Sequence, residues 1–189
     1  MAVDYLLEPA TFDAPKVESL RNQWRHIPEV NIRNIIAQEH QYLHFHIFVL
    51  NNLRFTSVGS ACNPPYRKPI DYTLRAGAIK AAVLIGASIA EAALRAHAEH
   101  RQFEGLASQL HRRTFGNVLN AWQNNSTPHT DVAVIWNELN NLKSIRDNIH
   151  LFRAANDPNA HYKQVLQVEQ QTFDKLEKVI AHLQQLQSP

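Results

Sequence analysis

The chain has 189 residues, 44% of them hydrophobic, and only five glycines, the profile of one helical globular domain with room for a full core. Nineteen basic residues against 17 acidic give a formal charge of +2, which excludes bulk electrostatic capture of nucleic acid or of a membrane and leaves only a local patch for such contacts. Cys62 is the single cysteine, so an intramolecular disulfide and a cysteine-based zinc site are excluded and a reducing compartment is expected. The N-terminus has no basic region ahead of an apolar one, and the longest apolar run, Ala81 to Ala90, is broken by Gly86 and Ser88 and falls short of a membrane span. A cytoplasmic protein with no membrane contact is the expectation.

Residues 1–28 read as a mixed N-terminal extension punctuated by Pro9, Pro15 and Pro28, with one short helix around residues 17–25. The domain proper is placed at 29–189. From Val30 to about Phe55, Ile32, Ile35, Ile36, Leu43, Ile47, Leu50 and Leu53 recur at helical intervals. Gly59, Pro64, Pro65 and Pro69 make residues 58–69 a loop. A second long helix follows over 71–100. It is apolar nearly all round between Ala81 and Ala93, as a central buried helix must be.

Residues 103–122 form a third, less regular helical stretch containing Gly105 and Gly116. Thr127-Pro128 supplies a cap and a first-turn proline for a helix over about 128–155. Asn156-Asp157-Pro158 stops it and starts a last helix over about 158–187, with Val165, Val168, Phe173, Leu176, Val179, Ile180, Leu183 and Leu186 on one stripe. No strand-like alternation of note appears. The expected fold is all-α, a helical bundle of about four to five long helices.

The 128–155 helix carries the chemistry. Val132, Ile135, Trp136 and Leu139 share one face, but beyond Leu142 the apolar positions Ile145, Ile149 and Phe152 rotate to the adjoining face. Lys143, Arg146, Asp147, His150 and Arg153 take over the face that had been apolar. Arg146 and His150 lie at i and i+4, so one phosphate is within reach of both. Arginine offers a planar fork matched to phosphate oxygens, and histidine can serve as general acid or base near neutral pH. Such a pair suits RNA cleavage by the 2′-OH, while Asp147 is either an orienting acid or a solvated one. The bland alternative is a helix end leaving the core, its cations favoured by the helix dipole. Two copies meeting on a two-fold axis would double the catalytic groups.

Leu139-Asn-Asn-Leu-Lys-Ser-Ile-Arg-Asp-Asn-Ile-His150 resembles the signature helix of the HEPN superfamily of all-α RNases and RNA-associated domains. The small-residue run from Ala81 to Arg95, ending Glu-Ala-Ala-Leu-Arg, is similar to that family's second helix. The resemblance covers roughly residues 30–187. It implies a homodimer whose paired motifs face one another, with Arg146 and His150 catalytic and Asp147 accompanying them; Lys143 and Arg153, on the charged face of the same helix, are the candidate phosphate contacts. It implies no cofactor and no metal. The activity implied is a metal-independent endoribonuclease, of the kind used as a toxin or phage-defence effector with a separate antitoxin. A non-catalytic module that dimerises and binds RNA or a protein partner is the alternative. The chain departs from the family in spacing: only Asp147, Asn148 and Ile149 separate Arg146 from His150, fewer than is usual.

Glu91 is a lone acid in an apolar helix and needs a partner. Arg95, one turn on, is the local choice; Arg146 across the bundle is the other, and would have its guanidinium fixed by the contact. His40 and His44 have the spacing of a zinc pair without the His-Glu-x-x-His order, so they are expected to line a helix flank. His97, His100, Arg101, His111, Arg112 and Arg113 form a second basic region, suited to RNA backbone or to a solvated helix end. No glycine-rich phosphate loop, serine elbow or acidic metal cluster is visible.

Overall fold

A helix whose small residues point in every direction can be approached from all sides, and here it forms the axis of the bundle. The computed structural model describes residues 13–52, 72–125, 130–148 and 169–188, which form six α-helices and no strand. These are α1 (Val17–Gln23), α2 (Val30–Asn52), α3 (Tyr72–His100), α4 (Phe115–Asn124), α5 (Trp136–Asn148) and α6 (Glu169–Leu183). The all-α bundle is as expected, with one helix more than the upper count read from the sequence.

The axial helix is α3, which packs against α2, α4, α5 and α6. Ala82, Val83, Ala87, Ala90, Ala93 and Leu94 are all buried. Close approach to α6 depends on Gly86: a Cβ there would overlap the end of the buried Leu176 side chain. Residues 74–100 are long and apolar enough to cross a membrane by length and composition, contrary to the reading of the shorter run at 81–90. Half of that stretch is buried within the bundle, as a central helix should be.

The segment read as an extension contributes Leu20, Trp24, His26 and Ile27 to the buried interior, three of them fully apolar or aromatic. Arg33 fastens the turn after α1 by donating from Nε to the Ile27 carbonyl at 3.0 Å. In α2 the apolar stripe holds at Ile36, Leu43 and Leu50, whereas Ile35 is exposed. The helix continues to Asn52; the expected loop at 58–69 lies outside the described residues.

The stretch read as a third helix from 103 is instead a turn-rich connection up to residue 114, followed by α4. The connection begins where α3 stops. Gln102 takes a left-handed backbone (φ 54°), its N–H donates to the Glu99 carbonyl, and the Phe103 N–H donates to Ala98. That bond pair is the Schellman stop that glycine usually serves. Thr114 caps α4 by accepting from the Asn117 N–H. Of the apolar face expected of the motif helix, Val132, Ile135 and Leu139 are buried and Trp136 is half-buried, with Leu142 buried beyond them, but a 3-10 turn at Ala133–Ile135 precedes α5. Along α6, Leu176, Val179, Ile180 and Leu183 are buried on the expected stripe. Val165, Val168 and both proposed proline starts lie outside the described residues.

Candidate functional site

Along α5 the switch from apolar to charged puts Arg146 where the helix passes α3 and α4. Its Nη1 donates to Oε2 of Glu91 at 2.8 Å, and its guanidinium carbon sits 5.9 Å from the centre of the Phe115 ring. The arginine is therefore clamped between a carboxylate on α3 and an aromatic face on α4, a distance at which cation–π attraction operates. Glu91 does not take the local partner. Arg95 instead donates to Glu99 at 2.7 Å, and Arg113 meets the same Glu99 oxygen at 2.7 Å.

Burial pushes the Glu91 carboxyl up, and the Arg146 and Arg95 guanidiniums pull it down without cancelling the rise. Burial also pushes Glu99 up, but there the hydrogen bonds from Arg113 and Arg95 win and the carboxyl is held low. Arg146 uses one N–H on Glu91 and keeps 31% of its side chain exposed, so the rest of its five-donor fork can reach an external anion.

Lys143 and Asp147 pair with each other at 3.0 Å, one turn apart. Asp147 is thus neutralised by Lys143, and no contact to Arg146 is made that would orient the guanidinium. The Lys143 stem crosses Gly116 of α4, where a Cβ would lie 2.9 Å from Cε. His150 and Arg153, the other two members of the expected cluster, lie outside the described residues. Of the seven site residues read from the sequence, the structure brings Arg146 onto Glu91 and Lys143 onto Asp147, and draws Arg95 away to Glu99. Phe115 and Gly116 were missed. The only sequence signal for them was a glycine inside a helical stretch, which often marks close packing.

The second basic region does not form one anion surface. His97 is fully buried, Arg101 faces Asp131 at 3.5 Å, and Arg113 is bound by Glu99 and by the Ala107 carbonyl. Only His100, His111 and Arg112 remain exposed.

Of the three histidines of α2, His40 turns inward, while His44 is exposed and His46 half-buried. His40 is buried and its Nδ1 accepts from the Trp24 indole N–H at 3.2 Å. An indole can only donate, so the proton of neutral His40 resides on Nε2. Burial, with His44 beside it, lowers its pKa to about 4. His44 stacks on His40 with ring centres 4.7 Å apart. Among the described residues no three histidine, cysteine or acidic side chains are grouped to hold a metal.

Two cavities flank these elements. One of about 290 Å³ lies between α2 and α3, with Ile32, Ile35 and Ile36 on one wall and Ser88, Glu91 and Arg95 on the other. Glu91 thus faces both this cavity and Arg146. A larger cleft of about 590 Å³ is bounded by α1, α2 and α6, with Leu20, Gln23, His40, His44, Phe173 and Glu177 in its lining.

No protein-family model, no curated protein and no solved structure matches this chain.

Proposed function

We propose that the chain is a cytoplasmic, metal-independent endoribonuclease of the HEPN type. In this reading a homodimer brings together two Arg146/His150 pairs, each histidine moving a proton while the guanidiniums stabilise charge on the phosphorane. The single observation that supports it is the Arg146–Glu91 ion pair. A guanidinium that is held by a half-buried acid and an aromatic ring, yet open on one side, is pre-organised for an anion, which a freely solvated arginine is not. A toxin or phage-defence role with a separate antitoxin belongs to the same reading.

A second reading is a non-catalytic module that dimerises and binds RNA or a protein partner through Arg146. The Lys143–Asp147 pair favours it, because it ties up two of the charged groups the catalytic reading would employ.

The two readings part in one assay. Wild-type protein, Arg146→Ala and His150→Ala are incubated with RNA in EDTA. Cleavage by wild type that is lost in both variants supports the nuclease. RNA binding that weakens in Arg146→Ala, with no cleavage by any of the three, supports the binding module. Equal trace cleavage by all three removes the nuclease reading.

A further inference from the structure

We infer that the turn at residues 24–27 is an acid-sensitive latch, closed by the buried His26–His97 contact and opened at low pH, which releases α1 and uncovers the cleft beneath it. His26 Nδ1 and His97 Nε2 are 2.9 Å apart, and the two residues are 4% and 0% exposed. The remaining nitrogens, His26 Nε2 and His97 Nδ1, are buried with no hydrogen-bond partner among the described residues. Two neutral imidazoles carry two N–H groups. One bridges the pair and the other is left without an acceptor among the described residues, whichever tautomers are chosen. The closed latch therefore already carries one unmet donor.

An added proton has nowhere favourable to go. The charged groups acting on the pair are Arg33 from α2 on His26, and Arg101 and His100 at the end of α3 on His97, all of them cationic when charged. Trp24 and Trp122 supply the neighbouring rings. Burial first, then Arg33, lowers His26 to about 4; burial first, then His26 itself, Arg101 and His100, lowers His97 to about 3. Both folded values lie below the ordinary 6.5, so the latch contributes fully above that pH and is lost as pH falls toward 4. His40 adds to the effect, since protonating Nδ1 would expel the Trp24 indole.

Opening stays local because α1 spans seven residues and leans chiefly on α2, while α3 is held independently by α2, α4, α5 and α6. Release would bare Leu20, Trp24 and Ile27 together with the wall of the larger cleft.

Amide exchange from pH 7.5 to 4.5, corrected for its intrinsic pH dependence, tests this. The two protons of the latch pair raise the open population by up to about a hundredfold per pH unit between about 4 and 6, and His40 adds up to about tenfold more. Residues 17–27 should lose protection at more than tenfold per unit, while residues 82–94 stay protected and far-UV helicity is kept. In the double variant His26→Phe/His97→Phe the slope should fall to the tenfold or less that His40 alone supplies. Simultaneous loss of protection at 17–27 and 82–94 overturns the latch, as does an unchanged slope in the double variant. Should that variant not fold, ring-nitrogen NMR on the wild type decides. Neutral rings that gain charge only with the opening of α1 support the latch; rings that titrate near 6.5 with α1 still protected overturn it.

Discussion

Glu91 of α3 gives its carboxylate to Arg146 of α5, 55 positions away, rather than to Arg95 one turn along its own helix. The reason is competition. Arg95 is taken by Glu99, whose pKa is held low by two arginines, and that leaves Glu91 to the cation that α5 delivers.

The direction of the Glu91 shift has a consequence for stability. Its folded pKa is raised, so its contribution is fully present below the unfolded value and lost as pH rises through the folded one. Glu91→Gln keeps an acceptor for Arg146 and removes the buried charge. Its melting temperature should match or exceed wild type at pH 7 and show a smaller advantage at pH 4. Arg146→Ala, which strands the carboxylate, should cost about 1–3 kcal/mol at pH 7 in denaturant unfolding.

His40→Gln tests the inward-facing histidine. A glutamine oxygen can still accept from the Trp24 indole, so stability at pH 7.5 should change by less than about 1 kcal/mol. With a folded value of about 4 below the ordinary 6.5, wild-type His40 loses stability as pH falls, at up to about 1.4 kcal/mol per unit. The variant lacks this loss and should be the more stable protein at pH 5.

Gly86→Ala forces the buried Leu176 out of its position between α3 and α6. Overpacking of this kind costs about 1–3 kcal/mol. A urea titration should show a lower midpoint with an unchanged slope.

Gln102→Gly should stabilise. The left-handed backbone at φ 54° is strained for glutamine and free for glycine, and the two Schellman hydrogen bonds use backbone groups only. A gain of about 0.5–1 kcal/mol is expected, read as a higher melting temperature.

Local periodicity made much of this fold legible. The stripe of Leu176, Val179, Ile180 and Leu183, the all-round apolar α3, and the buried face of Val132, Ile135 and Leu139 each depend on near neighbours in sequence. What was not legible depends on groups far apart. His26 and His97 are 71 positions apart, and neither sits in a spacing that announces the other. The end of α3 at His100 was legible, but the Schellman stop that sets it was not, because the residue in the left-handed position is not glycine. The basic region around Arg113, suited by sequence to RNA backbone or to a solvated helix end, is largely consumed by acids whose pairing the sequence did not announce, Glu99 within the region and Asp131 from outside it. At the candidate site, the turn from apolar to charged along α5 was visible. The choice of Arg146 by Glu91, and the Phe115 ring beneath it, required three helices to be assembled first.

The ends left on cut RNA test the proposed nuclease most directly. Wild-type protein in EDTA should leave 2′,3′-cyclic phosphate and 5′-hydroxyl termini, and one 2′-deoxy substitution at the cut site should abolish cutting there. Cleavage through the deoxy position, 5′-phosphate termini, or RNA left intact by the wild type would contradict attack by the 2′-OH at a site built on Arg146.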